Sequence, residues 1–154
     1  MATSPHSHAS SGPGKAPRRK APTVRPAPAG ALPRVVLYAG RLAEGERVDR
    51  LLDGAGYDVV LCSDGEALLE AVVERRTDVV VFEIMEQSVA DLGLLQLLRR
   101  AVPAVPLILV AQSGSLEIQR VVQQVRPSYY TVVPVDAAEL CEAVRSVLER
   151  RTRP

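Results

Sequence analysis

The chain has 154 residues, of which 47% are hydrophobic, which is enough for one domain with a buried core. Aromatic residues make up 3%, so that core must be aliphatic, and two cysteines, Cys62 and Cys141, are too few for a disulfide scaffold or a Cys-rich zinc site. The two histidines, His6 and His8, both lie near the N-terminus, which excludes His-dependent nucleophiles and His-ligated metals from the rest of the chain.

The first 33 residues differ in composition from the rest. Residues 1–33 contain seven of the twelve prolines, five basic residues and no acidic residue, whereas the rest of the chain has a net charge of −4. Such a segment buries too little apolar surface to offset the entropy lost on ordering, so we predict a disordered tail. Two roles are open for it: a solvated linker, or weak electrostatic contact with nucleic acid, anionic lipid or an acidic protein surface.

From Arg34 onward, short apolar segments alternate with segments of helical periodicity. In chain order, the sequence predicts a strand at 35–38, a helix at 44–55, a strand at 58–62, a helix that includes 68–73, a strand at 78–82, a helix at 88–101, a strand at 106–110, a helix at 115–125, a strand at 130–133 and a helix at 136–151. This alternation indicates an α/β domain over residues 34–151. Its expected architecture is a doubly wound, five-stranded parallel sheet with five helices.

The carboxyl ends of the strands are the expected functional edge. In doubly wound sheets, ligands bind at this edge, where all the parallel strands end together. No apolar run approaches the roughly 20 residues of a membrane-spanning helix, and we expect a cytoplasmic protein. The candidate positions at the strand ends are Ala39, Gly40, Glu83, Ala111, Gln112 and Val133.

Over residues 34–151 the chain resembles the receiver domain of response regulators. The matching phrases occur in the family's order and spacing: Gly56-Tyr57-Asp58-Val59 enters the second strand, Ser63-Asp64-Gly65 leaves it, and a third phrase runs from Asp78 to Met85, over the third strand and the residues after it. The apolar segment Pro106–Val110 and Pro134 after the fifth strand also match. The resemblance implies a flavodoxin-like fold and a role in bacterial two-component signalling or a phosphorelay.

The residues that perform phosphotransfer in receivers are replaced here. The resemblance places an acidic, Mg²⁺-binding pair at Ala39 and Gly40, and the phosphoryl-accepting Asp at Glu83. It places a Thr or Ser at Ala111 and a Lys at Val133. Because each position departs from the family's pattern, we predict a degenerate site with no catalytic residue, no metal and no cofactor.

Two interpretations of Glu83 are open. It is either a built-in mimic of the phosphorylated state or a residue tolerated after the metal site was lost; we favour the second, because the apolar Lys and Thr positions leave no obvious partner for the carboxylate. Tyr130 stands where receivers carry an aromatic switch residue, and is either locked in one rotamer or a plain surface tyrosine. Cys62 is predicted to be a buried strand residue and Cys141 a small apolar helix residue, and no neighbouring base in the sequence indicates that either thiol is reactive.

Three functions follow from these observations. The leading hypothesis is a pseudo-receiver, a non-enzymatic module that acts by protein–protein contact independently of phosphorylation. The alternatives are a phosphoreceiver with an unusual site and a flavodoxin-like binder of a small ligand. By resemblance, the partner or homodimer face spans residues 115–150 and includes Tyr129 and Tyr130.

Overall fold

A computed structural model of the chain describes residues 30–39, 42–85 and 89–153. The predicted disordered tail therefore lies outside the described residues up to position 29, as does the candidate site residue Gly40. Five strands alternate with five helices: β1 (Arg34–Tyr38), α1 (Leu42–Gly54), β2 (Asp58–Cys62), α2 (Gly65–Glu74), β3 (Val79–Ile84), α3 (Val89–Ala101), β4 (Leu107–Ala111), α4 (Leu116–Val125), β5 (Tyr129–Val132) and α5 (Ala137–Thr152).

The five strands form one parallel sheet in the order β2-β1-β3-β4-β5. The central strand β3 is buried along its whole length, whereas the edge strand β5 is half-buried at every residue. Aliphatic side chains cover both faces of the sheet in two clusters, one shared with α2, α3 and α4 and the other with α1 and α5. The predicted α/β fold is confirmed.

Local side-chain chemistry fixes where several helices begin and end. Asp64 caps α2 by accepting a hydrogen bond of 2.8 Å from the Ala67 N–H, and Asp136 caps α5 through the Ala138 N–H at 2.7 Å. After α1, Gly56 adopts a φ of +90°, a conformation that glycine takes without steric cost. None of the helices in the described ranges is long and apolar enough to cross a membrane.

The third strand is longer than predicted. It ends at Ile84 rather than Phe82, because Glu83 and Ile84 continue the ladder with Val110 and Ala111 of β4. Glu83 therefore belongs to the strand itself and not to the loop that follows. The other predicted boundaries differ from those observed by at most about two residues where both were given, since helix and strand ends depend on contacts that periodicity does not encode.

Arg99 of α3 binds both the carboxyl end of α4 and the loop that precedes β4. The Arg99 guanidinium donates hydrogen bonds of 2.9 Å each to the carbonyls of Val105, Val125 and Arg126. Burial lowers the pKa of Arg99 from its ordinary value. Arg126 follows α4 in the left-handed conformation, with φ of 49°, so the guanidinium binds the carbonyls of a tightly turned helix end.

Candidate functional site

Three of the predicted site positions meet at the carboxyl edge of the sheet as apolar side chains. Ala39 follows β1 and is buried, and its N–H donates to the Cys62 carbonyl at 3.2 Å. Ala111 ends β4, and its carbonyl accepts a hydrogen bond of 2.9 Å from the Val133 N–H. The sheet register thus places Ala111 beside Ile84 at the end of β3, and Val133 lies on the far side of Ala111.

Glu83 is a charged residue of this edge and is nearly buried. Its side chain is 6% exposed, and Gln112 Nε2 donates to its Oε1 at 2.5 Å. Gln112 is itself held by a backbone hydrogen bond of 3.3 Å to the Ile84 carbonyl. The expectation that Glu83 has no obvious partner was therefore wrong: the partner follows the Ala111 position by one residue. The sequence analysis named Gln112 at the edge but gave it no role.

The residues present do not fit the Mg²⁺ ion of phosphoryl-accepting receivers. Hard cations need several oxygen ligands, and methyl and isopropyl groups stand at Ala39, Ala111 and Val133. Within the part of the chain that the structure describes, no group of three His, Cys, Asp or Glu residues is arranged to hold a metal. Glu83 is instead engaged by an amide donor.

A second buried acid, which the sequence analysis missed, lies on the other face of the sheet. Asp91 in the first turn of α3 is 6% exposed; its Oδ1 accepts from the Tyr38 hydroxyl at 3.0 Å and its Oδ2 from the Met85 N–H at 3.2 Å. Burial, together with the hydrogen bond to Asp91, raises the pKa of Tyr38 to about 12. A sequence signal existed, because Asp91 shares helical spacing with the buried Leu95 and Leu98.

A cavity of about 100 Å³ lies beside Glu83, between α1 and the start of α5. Its walls are mostly aliphatic, and its charged lining residues are Glu83, Arg47 and Asp136. The two latter residues are exposed, whereas Glu83 is nearly buried, so Glu83 lies deep and the other two lie near solvent. The aliphatic lining residues are Val48, Leu51, Val110, Val133, Pro134, Val135, Ala137 and Leu140.

The two tyrosines of β5 point to opposite faces of the sheet. Tyr130 packs against the cluster shared with α3 and α4, and its buried hydroxyl has no hydrogen-bond partner. Tyr129 packs against the cluster shared with α5 and donates to the Glu139 carboxylate, and this hydrogen bond raises its pKa. Tyr130 is thus not a plain surface tyrosine, which was one of the two interpretations.

Both cysteines are free thiols in protected surroundings. Cys62 is buried at the end of β2 and Cys141 is half-buried on α5. Burial raises the pKa of each thiol, which lowers the thiolate fraction near neutral pH. Cys62 is thus a buried strand residue and Cys141 a helix residue, as predicted.

Sequence comparison finds a partial relative of the chain. The chain matches no protein-family model. It is 31% identical over 98 residues to a probable transcriptional regulator, ycf27, of Guillardia theta; the match covers 64% of the chain and 38% of that regulator. The chain therefore spans well under half of the relative's length.

Solved receiver domains superpose closely on the α/β domain of this chain. A CheY-like response-regulator receiver domain protein from Methanospirillum hungatei has a TM-score of 0.72 at 20% identity, covering 79% of this chain and 97% of that one. The signal receiver domain of an HD domain-containing protein from Pseudomonas fluorescens has a TM-score of 0.71 at 22% identity, covering 81% and 93%. The chain thus carries the fold of response-regulator receiver domains, as its sequence resemblance implied.

Proposed function

We propose that this chain is a pseudo-receiver: a signalling module that acts through protein contacts and does not accept a phosphoryl group. The receiver fold supports a place in two-component signalling. The observation that carries the finer proposal is the state of Glu83, which is nearly buried and hydrogen-bonded to Gln112 where a phosphoryl-accepting site needs an accessible carboxylate beside a bound cation.

Three replacements support the same conclusion by their chemistry. A transferred phosphoryl group carries close to two negative charges, which need a cation and hydrogen-bond donors for stabilisation. Ala39, Ala111 and Val133 offer neither charge nor a side-chain donor at the positions where receivers place them. A phosphoryl group on Glu83 would therefore lie among aliphatic side chains, which is an unfavourable environment for a dianion.

Incubation with acetyl phosphate and Mg²⁺, followed by intact-mass measurement, tests this proposal. We expect no phosphoryl adduct on the chain, while a phosphorylatable receiver treated in the same buffer gains one. The Glu83→Gln variant serves as the matched control for the position of any modification. An adduct present on the parent chain and absent from Glu83→Gln would establish the alternative function, a phosphoreceiver with an unusual site.

The face formed by α4, β5 and α5 is the proposed contact surface. β5 is an edge strand, so its outer backbone groups lack a neighbouring strand in the sheet. On α4, the buried residues Ile118, Val121 and Val125 occupy one side and leave the opposite side to solvent. That side carries the exposed Gln119, Arg120, Gln123 and Gln124 together with Leu116, which is 74% exposed, and this mixture of polar and apolar groups suits a reversible contact.

Paired variants test whether the contact surface is used. The chain is immobilised and exposed to lysate of its native organism, and the captured partner is compared between Arg120→Glu on α4 and Glu70→Arg on α2. Both residues are exposed and both changes reverse one charge, so they differ in the face they alter. We expect capture to be lost in Arg120→Glu alone. Size-exclusion chromatography of the same proteins distinguishes a homodimer from a heterologous partner.

A further inference from the structure

The amino edge of the sheet, where the strands begin and the helices end, is rich in arginine. We define it as the first residue of each strand, the last four residues of each helix and the residues between a helix and the next strand, with Arg153 after α5. It holds nine arginines and five acidic residues, a net charge of +4. The remainder of residues 34–154 holds five arginines and thirteen acidic residues, so positive charge is concentrated at the edge opposite Glu83.

Four of these arginines have partners within the fold, and they are Arg34, Arg76, Arg99 and Arg151. Asp78, which is 7% exposed, pairs with Arg76 at 2.5 Å and with Arg151 at 3.7 Å. Arg151 also donates hydrogen bonds of 3.0 and 2.7 Å to the carbonyls of Thr77 and Asp78, which places the end of α5 beside the loop from α2 to β3. The fold itself therefore accounts for these four side chains.

The other five arginines of the amino edge are exposed, and they are Arg75, Arg100, Arg126, Arg150 and Arg153. Among the described residues, none of the five forms an ion pair. The exposed acids of this edge that also lack such a pair are Asp53, Glu74 and Glu149, so cations outnumber anions. Helix dipoles favour cations at carboxyl ends, which explains where these arginines lie but supplies no anion for them.

The basic tail joins the domain at this same edge. The Pro33 carbonyl accepts a hydrogen bond of 2.9 Å from the Asp58 N–H, and the Arg34 N–H donates to Asp78 at 2.8 Å. Residues 1–33 contain five basic residues and no acidic residue. The basic residue of this segment closest to the domain in sequence, Arg25, precedes Arg34 by nine residues, a length of chain that spans at most about 32 Å. The tail therefore adds positive charge where the domain already has an excess.

We propose that the amino edge binds the phosphate backbone of duplex nucleic acid and that the basic tail extends this contact. Duplex DNA carries about one negative charge per 1.7 Å of its axis, so a group of exposed cations meets several phosphates at once. A guanidinium donates two parallel hydrogen bonds to a phosphate, and every exposed cation of the edge is an arginine. Contacts of this kind fix the position of a protein on the duplex without reading base sequence.

The side chains of the edge favour nucleic acid over an anionic lipid surface. Surfaces that bind lipid add aromatic or large apolar side chains that enter the membrane interface. The chain has no Trp, and its one Phe, Phe82, is fully buried. Among the described large hydrophobic residues, only Val73 is exposed at the amino edge. The proposal does not depend on the pseudo-receiver function, because Glu83 lies at the opposite edge of the sheet.

Fluorescence anisotropy of a labelled duplex of about 20 base pairs, titrated with the full chain, tests the proposal. We expect saturable binding at micromolar protein in about 50 mM salt, with a plot of log K against log salt whose slope is about −3 or steeper. Two duplexes of unrelated sequence should bind within about threefold of each other, since backbone contacts carry no sequence information. Absence of saturable binding in about 50 mM salt would overturn the proposal.

Matched variants test whether the amino edge is the surface that binds. Arg100→Gln/Arg126→Gln/Arg150→Gln removes three exposed charges from the edge, so it should weaken binding at least tenfold and reduce the salt slope by about 2 to 3. The control, Arg47→Gln/Arg120→Gln/Arg145→Gln, removes three exposed arginines that lie outside the edge, and it should lose less than about threefold. Equal losses in the two triple variants would reject the edge as the site. If the first variant does not fold, Arg75→Gln/Arg153→Gln replaces it, and unchanged affinity there rejects the proposal as well.

Two further comparisons separate the edge from the tail and nucleic acid from lipid. Replacing the five basic residues of the tail by Gln in the full chain should weaken duplex binding without abolishing it; these are Lys15, Arg18, Arg19, Lys20 and Arg25. Complete loss in this variant, with parent affinity in the edge variant, would show that the tail alone binds and would overturn the proposal. Sedimentation with vesicles of equimolar phosphatidylcholine and phosphatidylserine should give weaker binding than the duplex. Vesicle binding without duplex binding would assign the edge to a lipid surface instead.

Discussion

The Tyr38 hydroxyl donates a 3.0 Å hydrogen bond to Asp91 Oδ1, although the two residues are 53 positions apart in the chain. The bond joins the end of β1 to the first turn of α3. Because Asp91 Oδ2 also accepts from the Met85 N–H, the same carboxylate fixes the start of the loop after β3. The centroids of the Tyr38 and Phe82 rings are 4.6 Å apart, so the two rings pack against each other.

Replacing Tyr38 by Phe should destabilise the fold. The change removes a donor to a buried carboxylate and keeps the packing of the ring, so we expect the free energy of unfolding to fall by about 1–3 kcal/mol. Urea denaturation followed by circular dichroism measures it. Tyr130→Phe is the matched control: its buried hydroxyl has no partner, so its removal should leave stability unchanged or increased. Equal losses in both variants would contradict the assigned role of Asp91.

The Tyr38 hydrogen bond also predicts a pH dependence at high pH. The pKa of Tyr38 is about 12 in the folded chain against 10.0 for an ordinary tyrosine. Below pH 10 the phenol is protonated in both states and its contribution is complete. Between pH 10 and 12 the unfolded chain releases the proton while the folded chain retains it, so stability falls as pH rises, by at most about 1.4 kcal/mol per pH unit.

The comparison with Tyr38→Phe isolates this effect. The pKa values of Tyr57 and Tyr129 are also raised, but these residues titrate in both proteins, so the difference between the two proteins reports Tyr38. Urea midpoints measured from pH 9 to pH 12 should converge as pH rises. Parallel curves would show that Tyr38 titrates as an ordinary tyrosine.

The contact between Tyr38 and Asp91 also shows what could be predicted from the sequence. Alternating apolar and amphipathic segments specify strands, helices and a parallel sheet, because burial on both faces leaves a periodic signal. Asp91 lies on a buried helical face, where an acid requires a partner, but Tyr38, which donates to it, lies in β1. The identity of that partner depends on sheet order, which local periodicity does not contain.

Glu83 and Gln112 show the same limit at the candidate site. Their positions at strand ends were predicted from the alternation alone, yet the hydrogen bond arises from the pairing of β3 with β4 across 29 residues. The family resemblance implies a hydrogen-bonding residue at Ala111, where the side chain is a methyl group. The hydrogen-bond donor is the side chain of the next residue, Gln112, which contacts Glu83 from the loop after β4.

Removing the Gln112 amide should destabilise the folded chain through Glu83. In Gln112→Ala, a nearly buried carboxylate loses a donor, and hydrogen bonds to charged groups contribute about 1.5–3 kcal/mol. We expect a loss in that range, measured by thermal or urea unfolding. Gln123→Ala, at an exposed position of α4, should change stability by less than about 0.5 kcal/mol. Similar values for the two variants would mean that the contact with Glu83 adds little.

Arg99 offers a test of how α3 and α4 are held together. Lysine carries the same charge but lacks the planar group that reaches three carbonyls at once, so Arg99→Lys should lower stability by about 2 kcal/mol. The neighbouring Arg100 is exposed, and Arg100→Lys should have almost no effect. Amide hydrogen exchange should also become faster in the last turn of α4 in Arg99→Lys. Unchanged exchange there would show that the hydrogen bonds from Arg99 do not stabilise this helix end.

The final prediction concerns communication between Glu83 and Tyr130. Glu83 lines the cavity with Val110 and Leu140, which belong to the cluster on the α1 and α5 face, whereas Tyr130 packs into the cluster on the α3 and α4 face. Among the described residues, the buried sheet separates Glu83 from Tyr130, and residues without shared contacts have nearly additive effects. In partner binding measured by calorimetry, Tyr130→Ala should weaken affinity markedly, by about 2 kcal/mol where an aromatic anchor is truncated. Glu83→Gln should leave the affinity nearly unchanged, and the loss of binding free energy in the double variant should equal the sum of the losses in the two single variants.

A coupling energy above about 1 kcal/mol between Glu83 and Tyr130 would contradict this expectation. It would show that a switch still links the site to the contact surface, and Glu83 would then be a working mimic of the phosphorylated state.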